Sequence, residues 1–130
     1  MGDRAVDVQK AIGDVISNNS ALTTLGVTAV YKIPPENAVF PYITIGDIII
    51  SSRNVKVENW FEYNINVHVW DQSTSQQRAQ NILSALYDAL DRKTLTVGSY
   101  SPSTYWVQSF VTPEPDRKTQ HGIFMLRVED

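Results

Sequence analysis

Two histidines, His68 and His121, are the side chains of this chain best suited to proton transfer or metal ligation near neutral pH, and they stand far apart in unlike surroundings. A divalent-metal site built on them would need carboxylates such as Asp47, Glu62 or Asp71. None falls at a spacing that gathers ligands on one helix turn or strand. Glu62 and His68 share a strand face, but six residues of strand separate them by about 20 Å, too far for one ion. The chain has no cysteine, which excludes disulfides, thiolate zinc sites and cysteine nucleophiles. Serines are plentiful, yet no Gly-x-Ser-x-Gly elbow occurs and no Ser-His-acid signature can be read. The glycines, at 2, 13, 26, 46, 98 and 122, are too scattered to cradle a phosphate. The expectation is a protein with no metal, no cofactor and no catalytic set.

The aromatic residues offer recognition chemistry instead. Trp60, Phe61, Tyr63 and Trp70 fall on one strand, and Tyr105, Trp106 and Phe110 on another. Most such rings pack between a sheet and its helices. Trp60 and Trp70, however, belong to the polar face of their strand, where aromatic area marks a partner surface. A nucleic-acid stacking platform would interleave Lys and Arg there, and this face carries Glu62.

The elements that must position these groups follow from periodicity. Asp3 can cap a helix over 4–18, in which Ala5, Val8, Ile12, Val15 and Ile16 form an apolar stripe. Ser20 is expected to cap a short turn that ends at Gly26. A strand over 27–33 should stop at Pro34-Pro35, which have no N–H to donate. A β-branched run over 42–52 follows, with Gly46 inside it as a candidate bulge. From 60 to 70, Phe61, Tyr63, Ile65, Val67 and Val69 point one way. Trp60, Glu62, Asn64, Asn66, His68 and Trp70 point the other. Ser73 with Gln76, or Thr74 with Gln77, fits a capping box for a helix over 75–91, striped by Ala79, Ile82, Leu83, Leu86 and Leu90 and closed by Arg92-Lys93. A short strand at 94–97, a strand at 105–112, a polar loop over 112–121 and a last strand at 122–129 complete the chain. This order predicts an α+β fold: a mostly antiparallel sheet of four to six strands with two main helices packed on one face.

At 130 residues the chain suits one domain. Its 42% hydrophobic and 19% charged content is that of a globular protein. A net charge of -3 lacks the basic footprint of a protein that grips DNA phosphates. Acidic residues stand where a signal peptide would be apolar, no run approaches a membrane span, and Val6 breaks the myristoylation pattern after Gly2. The expected location is the cytoplasm in which the chain is made. Hairpin arms near 51–59 and 112–121 carry Arg53, Lys56, Arg117 and Lys118 among Glu58, Glu114 and Asp116. Such runs are ordinarily solvated, and they can also reach a neighbouring subunit in a head-to-tail contact.

Three blocks taken in order resemble the phage tail-completion family, also called tail terminators or tail-to-head joining proteins. The first is the N-terminal helix, the Ala21-Leu22 turn and Val30-Tyr31 with its proline turn and Phe40-Pro41-Tyr42-Ile43-Thr44-Ile45-Gly46. The second is Ile65 to Trp70 followed at once by the helix with Ala79, Ile82 and Leu86, and the third is Asp116 to Gly122 leading into Phe124 and Arg127. Lys118 departs from the glycine often found in that last turn. The resemblance implies a structural virion protein, not an enzyme. Six copies would form a ring at the head-proximal end of the tail tube, stop tube growth and join the tail to the head connector. Its partners would be copies of itself, the tube protein and the head-completion protein, with no membrane involved. DNA would pass through without sequence-specific binding. Within that picture Glu62, Asn64, Asn66 and His68 are expected to face the lumen, and Trp60, Trp70, Arg53, Lys56, Arg117, Lys118 and His121 to lie at interfaces. The rival reading is a monomeric adaptor that docks one protein partner through Trp60 and Trp70.

Overall fold

The computed structural model describes residues 5–53 and 60–129, with the side chains of 52, 53, 60 and 61 outside that description. The chain runs through α1 (Ala5–Ser17), α2 (Ser20–Thr24), β1 (Val30–Tyr31), β2 (Tyr42–Arg53), β3 (Trp60–Gln72), α3 (Gln77–Leu90), β4 (Ser103–Pro113) and β5 (Thr119–Glu129). The strands form one mixed sheet in the order β1-β2-β3-β5-β4. Among the described strands only β1 is parallel to its neighbour, and the other pairings are antiparallel.

Strict two-residue alternation builds the core. On β3 the buried side chains are Tyr63, Ile65, Val67 and Val69, and on β5 Phe124, Leu126 and Val128. Because these strands pair in register, all seven face the same side, where Val8, Ile12 and Ile16 of α1 and Ile82, Leu86 and Leu90 of α3 cover them. Both long helices therefore lie on one face, as the α+β expectation requires. At the end of β3 the same alternation buries Asp71 completely, and Arg78 of α3 meets it with two bonds to Oδ1, at 2.8 Å from Nε and 2.5 Å from a terminal nitrogen. An unpaired carboxylate there would be costly, so this pair fixes how α3 leaves the sheet.

Several local expectations shift. The first short turn is capped by Asn19, whose Oδ1 accepts the Leu22 N–H at 3.0 Å, because the helix already begins at Ser20. The strand expected over 27–33 shrinks to Val30–Tyr31, since the Val27 N–H is spent on Leu22 O and the Thr28 N–H on Pro41 O. Neither capping box forms before α3: Gln76 occupies the cap position without a side-chain bond, while Ser75 Oγ accepts the Gln77 N–H at 3.2 Å. At the far end Arg92 turns the chain in the left-handed region, φ 55°, so Lys93 no longer sits on the helix end. The segment after it runs beside β4, with Arg92 N–H to Thr104 O and Thr104 N–H to Lys93 O, both 2.8 Å. The strand expected at 94–97 is reduced to isolated bridges, Thr94 with Ser103 and Val97 with Tyr100. The ladder continues through most of 112–121, leaving residues 114–118 as the connection, with Arg117 left-handed at φ 62°. Glycine is thus not required at Lys118. The caps expected of Asp3 and the arm tip with Lys56 lie outside the described residues.

The bulge expected at Gly46 is present, as a register shift between Ile45 and Ile48. A Cβ at Gly46 would stand 2.7 Å from Asn66 O and 2.8 Å from His68 Nε2. Backbone and a packed ring cannot both retreat. Gly46→Ala is expected to lower stability by about 2 kcal/mol, read as an unchanged m-value and lower midpoint in urea denaturation.

The helix-free face of the sheet as candidate functional site

With both long helices on one side, the other side of the sheet is left to the outward residues of each strand. Cross-strand register sets them in rows: Glu62 beside Glu129, Asn64 beside Arg127, Asn66 beside Met125, His68 between Thr44 and Ile123, and Trp70 between Tyr42 and His121. Glu62, Asn64, Asn66 and His68 do share this face and are half-buried among their neighbours. Asn64 Nδ2 donates to Glu62 Oε2 at 3.1 Å. Arg127 spans the next row, 5.2 Å from the centroid of the Tyr105 ring and 3.4 Å from Glu129 Oε2. The Arg127 charge is thus answered by a carboxylate within the same face.

One end of this face holds a compact cluster. His68 Nδ1 and His121 Nε2 are 2.7 Å apart, and His121 Nδ1 is 3.0 Å from Glu114 Oε1 in the β4–β5 connection. The carboxylate can only accept, so the His121 proton sits on Nδ1. In the neutral pair Nε2 then accepts from His68 Nδ1–H, a tautomer set by the network. Trp70 lies flat on His121, with centroids 3.9 Å apart and planes 10° apart, and its indole N–H donates to Thr44 Oγ1 at 3.0 Å. Tyr42 continues the stack at 6.5 Å from Trp70. The His68 ring occupies the space that a side chain at position 46 would need.

Both rings are harder to protonate than a free histidine. For His68 the cause is first its burial, then the neighbouring His121, against which the Asp47 charge pulls the other way. For His121 burial again dominates, opposed by the charge and hydrogen bond of Glu114. Two charged rings could not hold the 2.7 Å contact, since both nitrogens would then be donors.

The expected site residues fall into separate groups. Trp70 and His121 are in the cluster, and Arg117 and Lys118 are exposed in the connection next to it. Arg53 and Trp60 pair with each other at the opposite end of β2 and β3; their side chains, like Lys56, lie outside the described residues. Ten residues of β3 place Trp60 about 34 Å from Trp70, so the two tryptophans do not form one patch. The histidine contact itself has no local signal in the sequence. It exists because β3 and β5 pair with Trp70 opposite His121. Among the described residues no group of three or more His, Asp or Glu is placed to hold a metal ion.

A mixed five-stranded sheet with the long helices on one side and a largely polar face on the other defines an α+β protein. Comparison with known proteins gives the family. Residues 10–128 match the tail completion protein gp17 family. The chain is 30% identical over 123 residues to the tail completion protein gp17 of Bacillus phage SPP1, covering 92% of this chain and 89% of that protein. The solved structure of SPP1 gp17 superposes with a TM-score of 0.68 over 97% of this chain and 90% of that one, at 24% identity. A chain from the virion of a native gene transfer agent particle superposes with a TM-score of 0.88 over 99% and 98%, at 16% identity, a likeness of fold. The chain belongs to the gp17 tail completion family, structural proteins of phage tails.

The cluster sets a pH dependence. Each histidine binds its proton less readily folded than unfolded, so the unfolded chain holds more protons as acid is added. Their contribution to stability is complete above the ordinary histidine value of about 6.5 and is lost as pH falls below it through the lower folded values. Urea midpoints should therefore fall between pH 7 and pH 5, and His68→Phe should flatten that slope.

Proposed function

We propose that copies of this chain form a ring at the head-proximal end of a tail tube, halt addition of tube subunits and present a joining surface to the head connector. Six copies is the number that resemblance to the family implies. The observation that best supports the reading is the helix-free face. A broad sheet surface bears Glu62, Asn64, Asn66 and His68 in one line along β3, with all long helices on the opposite side. Turned inward, it lines a channel with neutral and acidic groups, while the helices form the outer wall. DNA then slides through, because few cations are offered to displace its counterions. Among the described residues Arg127 is the cation beside this line, and it is held beside Glu129.

Trp70 and His121 lie at one end of β3 and the paired Arg53 and Trp60 at the other, which suits a ring with one rim toward the tube and the other toward the connector. Trp70, His121, Arg117 and Lys118 serve one rim, and Arg53, Lys56 and Trp60 the other. No helix among the described residues is long and apolar enough to cross a membrane. The mature protein would reside in the tail or neck of the particle, after assembly in the host cytoplasm.

Particles made without this chain should carry tails of uncontrolled length or tails unjoined to heads in negative-stain images; normal necks would sink the reading. For the lining, Asn64→Lys with Asn66→Lys is expected to slow DNA exit from particles several-fold at low salt, with the delay relieved as salt rises. An image of the ring with those side chains inside a subunit core would refute it.

A further inference from the structure

Among the described residues, each edge of the sheet is paired over only part of its length. On one side β1 pairs β2 at Ile43 and Thr44, and among the described residues no strand pairs that side from Ile48 to Arg53. On the other, the segment after α3 bonds to Thr104, and Asp91 Oδ1 accepts the Trp106 N–H at 2.8 Å, while among the described residues no strand pairs the outer side of 107–113.

Ladder parity says which backbone groups remain outward. The Ile43 N–H points to β1, so Thr44 bonds His68; the same alternation on β3 turns Ile49 and Ser51 inward to it and Ile48 and Ile50 outward. On β4 the Trp106 N–H points outward, and past the bulge at Val107 the outward pair is Ser109 and Val111. Large apolar side chains crowd both open halves: Ile49 is 63% and Ile50 39% exposed, and Val107 is 46% and Phe110 41% exposed. Such edges invite another strand unless blunted.

We propose that these two half-edges receive each other: β2 from Ile48 to Arg53 of one copy pairs with β4 from Val107 to Pro113 of the next. The inference rests on the ring reading and names the surfaces that close it. Three features select a second copy as the occupant. β2 and β4 run in opposite directions within the sheet, so rotated copies meet antiparallel. The two edges are different, so the contact is head-to-tail and propagates instead of stopping at a dimer. The third is the stagger. Across the register Ile50 is level with Tyr63 and Phe110 with His68, five residues along β3. A neighbour must therefore be displaced by about 17 Å along the strands for a four-strand repeat of about 19 Å. That inclines the strands by about 40° to the ring axis, the tilt at which closed sheets form.

The absence of native cysteine allows a clean test on the full chain. Ile49→Cys with Phe110→Cys puts one thiol on each edge, on the helix-free face and too far apart to bridge within a copy. At high concentration a short bis-maleimide should give a ladder of oligomers on denaturing gels, whereas either single-cysteine variant should not. Val111→Pro removes an outward N–H without breaking the internal ladder and is expected to cut the cross-linked yield at least tenfold with an unchanged circular dichroism spectrum. Ile49→Lys, with Phe110→Cys and Ser51→Cys, repeats the test should the proline variant unfold. If wild-type rings appear by native mass spectrometry yet the cysteine pair gives no ladder, or the ladder survives both edge substitutions, the pairing is wrong and the ring reading stands. If the wild-type chain forms no ring in solution and none is seen in particles, the ring reading fails and takes the pairing with it.

Discussion

Everything about this protein's two faces hangs on the pairing of β3 with β2 on one side and β5 on the other. Side chains alternate with a period of two, so a slip of one residue would exchange Tyr63, Ile65, Val67 and Val69 for Glu62, Asn64, Asn66 and His68 beneath the helices. Burying that polar line without partners would cost far more than the few kcal/mol by which domains are stable. The apolar line thus locks the register. The polar face inherits its order from that lock.

The bulges preserve this division where neighbouring strands would otherwise drift. At Gly46-Asp47 an extra length of β2 is absorbed, which keeps Tyr42 and Thr44 beside Trp70 and His68 while Ile48 stays level with Ile65. Gly46 also leaves the space in which the His68 ring lies. At Val107 the extra residue of β4 lies on the edge strand, past the Trp106 N–H held by Asp91. Polar groups are handled differently on the two sides. Asp71, beneath the helices, is held by Arg78, whereas the histidines of the other face share a proton between themselves and lean on Glu114. The first arrangement tolerates no loss of a partner. The second can gain protons as acid is added, although burial makes both rings harder to protonate than a free histidine.

Sheet edges, faces and ends accordingly carry distinct burdens. The helical face supplies the apolar core, the bare face carries mostly polar and acidic groups, and the Trp70 end of β3 gathers aromatic rings and both histidines. In this member of a tail completion family the helix-free face is built from hydrogen bonds, ring stacking and ion pairs along a sheet.

The sequence by itself determined the two-faced character of β3, the apolar stripes of α1 and α3, and the bulge at Gly46, because each is a local periodicity or a lone glycine in a β-branched run. The family was legible too, through the order of Val30-Tyr31, the proline turn, the Val69-Trp70 strand end and His121-Gly122. Caps and strand ends were less so: whether Asn19 or Ser20 caps α2, and whether 27–33 forms seven residues of strand or two, depends on which acceptor reaches each N–H first. The histidine pair was decided by tertiary structure alone. His68 and His121 belong to strands with a helix and another strand between them in the chain, and only the antiparallel register of β3 with β5 brings their rings to hydrogen-bond distance.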